Sequence, residues 1–370
     1  EAYSNMGVVF QERGKLEEAI GSYSKALEIK PDYAEAYYNM GIALKEQGKL
    51  EEAIEAYNKA LEIKPDYAKV YLNIGVALKE QDKLEEALES YSKALAIKPN
   101  HAEVYYNMGI VLQERGKLEE AIESYRKALE IKPDHAEAHY NMGVALKEQG
   151  KMEEAITSYE KAIAVKPDYA EAYNNLGVTV QKQGKLEQAI EAYNKVLVIK
   201  PSHAEAYNNI GNALKEQGKL EEAIEPFNKA LAIKPDYADA YLNMGATLQE
   251  QGKMEEAIEA YNMALTIKPD YAEASLNLAF AFHEKGEYEK AVMLFKKDNS
   301  SKSQTYLLKC LYNQDEQADF CDQLDYLINQ GENNAVIGSY ISRSQIRYGI
   351  KKANPFCNDP LKYVLHTNLN

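Results

Sequence analysis

The sequence predicts an all-α protein built as a solenoid of antiparallel helix pairs, and three observations support this. Prolines recur every 34 residues, at Pro31, Pro65, Pro99, Pro133, Pro167, Pro201, Pro235 and Pro269. Glycines keep the same step, at Gly7, Gly41, Gly75, Gly109, Gly143, Gly177, Gly211 and Gly245. Between them, apolar residues follow the 3.6-residue period of amphipathic helices. A repeat of this length is typical of a solenoid whose units pack on their neighbours.

Each repeat is predicted to contain two helices. The best-formed unit is Ala34–Tyr67, and its residues define repeat positions 1 to 34. The first helix is predicted over Ala34–Glu46 and the second over Leu50–Ile63, each with one apolar face. Gly48 separates the two helices, and Pro65 ends the second because proline lacks a backbone N–H.

The glycine at position 8, such as Gly41, is unusual because it lies inside a predicted helix. Glycine there is about 1 kcal/mol less favourable than alanine. We therefore expect a close approach by the neighbouring helix, with large tyrosines at positions 4 and 24 filling the gaps. Helix starts are expected at capping-box pairs, namely Asp32 with Glu35, Asn100 with Glu103 and Ser202 with Glu205.

The repeat resembles the tetratricopeptide repeat (TPR) in the spacing of Tyr37, Met40, Gly41, Leu44, Ala53, Tyr57, Ala60 and Pro65. The resemblance covers residues 1–298, as eight full units and a degenerate ninth with Ser275 and Ala279 in place of the aromatic residue and the glycine. The phrase ALKEQGKLEEA is also similar to the repeats of O-linked N-acetylglucosamine transferases. This resemblance implies a right-handed superhelix whose first helices line a concave, peptide-binding groove.

Residues 299–370 depart from the repeat and are predicted to form a helical C-terminal extension. Helices are expected near Gln304–Tyr312, Ala318–Gln330 and Ala335–Arg347, followed by a turn-rich segment from Asn354. Two interpretations stay open. The extension could cap the open core of the array. It also resembles junctions that lead into 2-oxoglutarate-dependent oxygenase domains in bacterial TPR proteins.

Position 6 is asparagine in every unit, although asparagine is a poor residue inside a helix. These residues are Asn5, Asn39, Asn73, Asn107, Asn141, Asn175, Asn209, Asn243 and Asn277. Helical geometry places positions 2, 5, 6, 9, 12 and 13 on the side opposite the core. An amide has one acceptor and two donors, so a ladder of asparagines could hold an extended peptide by its main chain. Recent duplication, or bracing between neighbouring repeats, would also explain the pattern.

Variable residues beside the ladder are predicted to set specificity. At position 5 the candidates are Tyr38, Tyr106, Tyr140, Asn174 and Asn208, and at position 9 the candidate is Asn212. At position 12, positive charge comes from Lys45, Lys79, Lys147 and Lys215, each followed by a glutamate.

Charge and cysteine content narrow the possible partners. Lys and Arg total 43 against 58 Asp and Glu, which gives a net charge of −15. A chain this acidic does not attract phosphate backbones or anionic lipid, so neither nucleic acid nor a membrane is an expected partner. Cys310, Cys321 and Cys357 form no CxxC pair, which favours reduced thiols and a cytoplasmic location.

No catalytic, metal or cofactor site is predicted from the sequence. His135 and His139 are four residues apart, a spacing that could serve one metal ion. They occupy positions 34 and 4, where other units have tyrosine, so we interpret them as substitutes for packing aromatics. No nucleophile and base can be paired, and the chain by itself is predicted not to be an enzyme.

The leading hypothesis is a protein-interaction scaffold that holds an extended polypeptide. A second hypothesis makes the array the substrate-recognition arm of a larger glycosyltransferase or oxygenase, with the catalytic part beyond Asn370. A third makes it a structural protein that assembles into homo-oligomers through the ends of the array.

Overall fold

The computed structural model describes residues 1–331, 335–349 and 352. Within these ranges every regular element is an α-helix. No helix among them has both the length and the apolar character that crossing a bilayer requires. The chain divides into two compact units, Glu1–Lys185 and Leu186–Asn370. Cys357 and the turn-rich segment predicted from Asn354 lie outside the described residues.

The first unit contains five helix pairs and the first helix of a sixth repeat. Its helices are α1 Ala2–Glu12, α2 Leu16–Ile29, α3 Ala34–Glu46, α4 Leu50–Ile63, α5 Ala68–Glu80, α6 Leu84–Ile97, α7 Ala102–Glu114, α8 Leu118–Ile131, α9 Ala136–Glu148, α10 Met152–Val165 and α11 Ala170–Lys182. The predicted bounds of both helices in the reference repeat are confirmed.

The second unit continues the repeats and then departs from them. Its helices are α12 Leu186–Ile199, α13 Ala204–Glu216, α14 Leu220–Ile233, α15 Ala238–Glu250, α16 Met254–Ile267, α17 Ala272–Lys285, α18 Tyr288–Phe295, α19 Ser301–Gln314, α20 Gln317–Asn329 and α21 Ala335–Tyr348. The bounds of the last three lie within three residues of those predicted for the helices of the extension.

The turn inside each pair depends on a left-handed residue at position 15. Gly48 has φ +78°, and the next N–H, of Lys49, donates to the carbonyl of Leu44 at 2.9 Å. Asp82 replaces this glycine in the third repeat and adopts the same conformation, with φ +61°. Residues that carry a side chain rarely adopt this left-handed backbone conformation, but aspartate is among those that tolerate it. The turn is therefore kept at some conformational cost.

The predicted capping boxes are wrong. Helix α3 is preceded by Tyr33 as its N-cap, and no side chain caps it. Asp32 lies one residue too early for the role, because the helix starts after the aromatic residue at position 34. At α13 the N-cap is His203, whose Nδ1 accepts from the N–H of Ala206 at 3.1 Å.

The close approach predicted at position 8 is confirmed, and position 24 is its cause. A Cβ added to Gly41 would lie 2.4 Å from Cε1 of Tyr57, and one added to Gly109 would lie 2.5 Å from Cε1 of Tyr125. Both tyrosines are completely buried. The position-4 tyrosines take less part in the interior, and Tyr3 is 40% exposed.

Helices α19 to α21 share a hydrophobic core with the last repeats. One cluster of buried side chains runs from Leu242 in α15 through Phe295 and Leu308 to Ile341 in α21. The junction itself is polar, because the carboxylate of Asp298 accepts from the hydroxyls of Ser300 and Ser303. The division at residue 298 stays a prediction.

Candidate functional site

The position-6 asparagines lie on the first helix of each repeat and keep part of their surface exposed. Asn5 is exposed; Asn39, Asn73, Asn107, Asn141 and Asn175 in the first unit, and Asn209, Asn243 and Asn277 in the second, are half-buried. The first helix of each repeat presents positions 6, 9 and 12 on one surface. We call this surface, taken separately within each of the two compact units, the asparagine face. Asn212 at position 9 and Lys45 at position 12 are also half-buried there.

Several of these asparagines bond to position 5 of the preceding repeat. Asn73 Nδ2 donates to the hydroxyl of Tyr38 at 3.1 Å, and Asn141 Nδ2 donates to that of Tyr106 at 3.2 Å. In the second unit Asn243 Nδ2 donates to Asn208 Oδ1 at 3.0 Å. Each bond spans 35 residues, so it joins two consecutive repeats. We call such a bond a rung.

The expectation that position 5 lies away from the core is wrong. Leu72, Leu242 and Asn208 are buried, with 5%, 4% and 5% exposure, and Tyr38, Tyr106, Tyr140 and Asn174 are half-buried. Position 5 precedes the position-8 glycine by three residues, and residues three apart share a helix face. The position-5 side chain therefore turns towards the large ring at position 24.

Each position-5 tyrosine lies between two other aromatic rings of its own repeat. The Tyr38 ring centroid is 6.2 Å from that of Tyr57 and 5.2 Å from that of Tyr67. In another repeat Tyr106 lies 4.6 Å from the ring of His135. Burial raises the pKa of the Tyr38 hydroxyl, so this hydroxyl stays protonated while its oxygen accepts from Asn73.

Sequence reasoning missed the contribution of position 34 to these groups. Tyr67, His135 and Tyr169 each pack, with a tilted ring, against the position-5 tyrosine that lies 29 residues earlier. Reading one repeat as two separate helical wheels hides this contact, because the second residue belongs to the loop that ends the repeat.

Two asparagines use their amides differently. Asn175 Nδ2 donates to Tyr140 Oη at 2.8 Å and to the carbonyl of Glu171, while its Oδ1 accepts from Lys147 Nζ at 2.8 Å. Its amide is therefore fully engaged. Asn107 Nδ2 donates to the carbonyl of Glu103 in its own helix, because Leu72 at the preceding position 5 offers no acceptor.

Two of the four position-12 lysines are paired with acids of the following repeat. Lys79 Nζ lies 3.1 Å from Glu114, and Lys215 Nζ lies 3.1 Å from Glu250. Each acid stands at position 13, which is 35 residues after the lysine. Lys79 and Lys215 are therefore not unpaired positive charges that could select an acidic ligand.

Lys147 is the exception, because the residue 35 positions later is Lys182. Burial, and then the charge of Lys182, lowers the pKa of Lys147. Two cations thus replace the usual ion pair on the asparagine face of the first unit. The neighbouring acid Glu148 offsets them only in part.

The two candidate histidines take packing positions. His139 is buried, and its Nε2 lies 2.9 Å from the carbonyl oxygen of Pro133. Among the described residues, no group of three or more potential ligand side chains is arranged to hold a metal ion.

Family models match nearly the whole array. One described as the Cilia and flagella-associated protein 70 C-terminal domain matches residues 1–200. Models described as TPR or tetratricopeptide repeats match residues 192–225, 211–252, 247–286 and 277–296. The chain belongs to the tetratricopeptide repeat family. The predicted fold class, an all-α TPR repeat, is thereby confirmed, and membership of this family supports a role in protein–protein interaction.

Several solved TPR structures are similar to parts of this chain. MamA is 33% identical with a TM-score of 0.44, over 46% of this chain and 94% of that one. YrrB, described as a TPR protein with an unusual peptide-binding site, is 28% identical with a TM-score of 0.44, over 50% of this chain and 95% of that one. A tetratricopeptide repeat protein from Parabacteroides merdae is 21% identical with a TM-score of 0.49, over 67% and 98%.

The search of curated proteins found no match. The similarity to O-linked N-acetylglucosamine transferases and to oxygenase junctions is not tested by these matches and stays a prediction.

Proposed function

We propose that the asparagine face of each unit binds an extended polypeptide through its main chain. The half-used amides of Asn73 and Asn141 carry this proposal. Each spends one N–H on a tyrosine of the preceding repeat, and its Oδ1 has no partner among the described residues. One acceptor and one donor remain on each amide, which suits the N–H and C=O of a strand-like peptide.

The rungs favour such binding because they orient the amides before a ligand arrives. Tyr38 is itself fixed by Tyr57 and Tyr67, so the hydroxyl that accepts from Asn73 has a defined place. A side chain that is already ordered loses less conformational freedom on binding. Bracing between repeats and ligand binding are therefore compatible roles for the same asparagine.

A ligand of the first unit should carry an acidic group where it passes Lys147 and Lys182. Two other position-12 lysines, Lys79 and Lys215, are neutralised by glutamates. At Lys147 no such acid follows, so a carboxylate from the ligand would take its place.

Selection from a phage-displayed library of random peptides on the immobilised protein tests the proposal. The triple variant Asn73→Ala, Asn107→Ala, Asn141→Ala should bind the selected peptides at least about tenfold more weakly, because each lost main-chain hydrogen bond contributes about 1 kcal/mol. Synthetic peptides with N-methylated main chains should lose affinity for the wild-type protein as well.

A matched triple variant provides the control. Asn58, Asn194 and Asn228 are exposed asparagines on second helices, and their replacement by alanine should leave binding unchanged. Equal binding by both triple variants and the wild type would show that the asparagine face is not the site.

Lys182→Glu tests the acidic preference separately. It restores the acid found at position 13 in other repeats, so selected peptides with an Asp or Glu should lose affinity while their Asn or Gln analogues should not. Equal loss for both kinds of peptide would contradict the preference without touching main-chain binding.

Two finer predictions about setting remain proposals. Assembly into homo-oligomers through the ends of the array would appear as a mass that changes in light scattering over a dilution series. A cytoplasmic location fits the free thiols of Cys310 and Cys321.

A further inference from the structure

A pocket of about 590 Å³ opens in the first unit between α8, α9 and α10. Its apolar lining comes from Leu129, Pro133, Met142, Ala164 and Val165, with the imidazole of His139 among them. This size is within the range of small-ligand sites. The pocket is separate from the asparagine face, because positions 4 and 6 point about 200° apart around the helix.

The pocket lies where most repeats place a tyrosine. Position 4 is tyrosine in seven of the nine units, at Tyr3, Tyr37, Tyr71, Tyr105, Tyr173, Tyr207 and Tyr241. In the fifth repeat, position 4 is His139. Its ring is smaller than a phenol and is held by the 2.9 Å contact between Nε2 and the Pro133 carbonyl oxygen. The smaller ring leaves part of this space open, and the pocket, of about 590 Å³, has room for an aromatic ring.

A lysine on the second helix normally covers the position-4 ring. Lys59 Nζ lies 5.8 Å from the ring centroid of Tyr37, and Lys127 Nζ lies 5.7 Å from that of Tyr105. Lys229 lies over Tyr207 in the same way, at 5.8 Å. These are cation–π distances.

Lys161 is the matching lysine of the fifth repeat, and it lines the pocket without a tyrosine beneath it. An aromatic occupant would fill the apolar floor and give Lys161 the partner that its counterparts have. A saturated group of the same size could satisfy only the first of these requirements.

The hydrogen-bonding groups of the imidazole are only partly satisfied in this arrangement. His139 is 8% exposed, and its Nδ1 is buried without a hydrogen-bond partner. A tyrosine in its place would give Lys161 a cation–π partner and would fill the space, as a tyrosine does in the repeats of Tyr37, Tyr105 and Tyr207. The histidine therefore reduces packing at one defined point of an otherwise regular array.

The geometry points to a binding site for an aromatic ring, of the phenyl or phenol class, with the ring against Leu129, Met142 and Val165 and beneath the ammonium group of Lys161. The ring could belong to a free small molecule or to a Tyr or Phe side chain of a partner polypeptide. This site does not depend on peptide binding by the asparagine face.

Titration of the full chain, labelled at its methionine methyl groups, with p-cresol tests the site by NMR. The Met142 methyl signal should shift through the ring current, while those of Met40 and Met108, which stand at the same position in repeats with a tyrosine, should not. 4-Methylcyclohexanol, the saturated analogue, should bind more weakly. A shift of all three methyl signals, or of none, would overturn the proposal.

Variants locate the occupant. His139→Tyr should abolish binding, because it restores the tyrosine that this position has in seven repeats. His101→Tyr, a matched exchange at position 34, should leave binding intact. Lys161→Gln should weaken p-cresol binding about threefold, the value of one exposed cation–π contact, and leave 4-methylcyclohexanol unaffected. Binding of p-cresol to the His139→Tyr variant would refute the assignment.

A variant designed to create a second pocket, and two further ligands, complete the test. Tyr105→His should open an equivalent pocket beneath Lys127 and add a shift at Met108; without that shift the histidine does not explain the pocket. N-Acetyltyrosinamide and a tyrosine-containing peptide distinguish the sources of the ring. Binding of both assigns the site to a partner side chain, and binding of p-cresol alone assigns it to a small molecule.

Discussion

The interior of the helix pairs and the asparagine face follow different rules within the same repeat. In the interior, a Cβ at position 8 would lie between 2.3 and 2.7 Å from the nearest ring carbon at each of Gly7, Gly41, Gly75, Gly109, Gly143, Gly211 and Gly245. On the asparagine face, the partner of position 6 changes from repeat to repeat. Asn73 bonds a tyrosine, Asn243 bonds an asparagine, and Asn107 bonds its own helix.

This difference shows where the repeat tolerates change. The ring at position 24 fills the space beside the glycine at position 8, so the glycine cannot gain a side chain while the ring stays in place. The asparagine, in contrast, keeps its place with several partners, because an amide can donate to a hydroxyl, to another amide or to a carbonyl. The interior therefore sets the fold, while the asparagine face can be adapted locally.

Alkaline pH should have the largest effect, because it acts on the interior of many repeats together. Burial raises the pKa of Tyr23 to about 12 and raises those of Tyr57, Tyr91 and Tyr125 too. The unfolded chain releases these protons near pH 10, before the folded chain does. Stability should thus be full below about pH 10 and decline as the pH rises towards about 12.

Far-ultraviolet circular dichroism and tyrosinate absorbance, followed together, measure this transition. Both should change in one step, and Tyr57→Phe, which removes a buried hydroxyl that has no hydrogen-bond partner, should move that step to higher pH. Complete ionisation of the tyrosines with the helix signal intact would contradict the expected coupling.

Gly109→Ala should have the next largest effect. The added methyl group would overlap the ring of Tyr125, and such overpacking costs about 1–3 kcal/mol. Gly21 is the matched control, because it lies inside α2 with nothing within 4 Å of an added Cβ. Gly21→Ala should stabilise the protein by up to about 1 kcal/mol. Urea unfolding of both variants decides the matter, and a shift of the same sign in both would be inconsistent with the packing described.

Tyr106→Phe should cost less, about 1 kcal/mol, because it removes the acceptor of one rung and keeps the ring. Tyr105→Phe, which removes a hydroxyl that bonds to none of the described residues, should change stability little. Hydrogen exchange of α7 and α9 would report the effect locally. Similar results for the two variants would mean that the rung contributes nothing.

Asp82→Gly should have the smallest effect and the opposite sign. It relieves a left-handed aspartate, which should stabilise the protein by about 1 kcal/mol or less. Asp66→Gly, at an exposed aspartate elsewhere, provides the comparison in the same thermal unfolding assay. A decrease in stability for Asp82→Gly would indicate that its side chain makes a contribution of its own.

Much of the fold could be predicted from the sequence because each feature is repeated many times. The bounds of α3 and α4, and the reason for Gly41, follow from local signals that need only one repeat. The burial of Leu72 and the rung between Tyr38 and Asn73 could not be derived in this way. The helical wheel of a single helix placed position 5 on the side away from the core, and the rung joins two different repeats. The same limit explains the failed capping boxes, where the aromatic residue at position 34 displaces the helix start by one residue.

The 35-residue span of a rung means that it belongs to the junction between two copies and not to either copy. Loss of one copy by unequal crossing-over, for instance residues 136–169, would bring Tyr106 next to Asn175 and rebuild a rung from residues that did not previously meet. The glycine and ring of every surviving copy would be untouched by the exchange. Evolution can therefore lengthen or shorten such an array by whole copies, and a new junction has its hydrogen bond wherever position 5 of the preceding copy offers an acceptor.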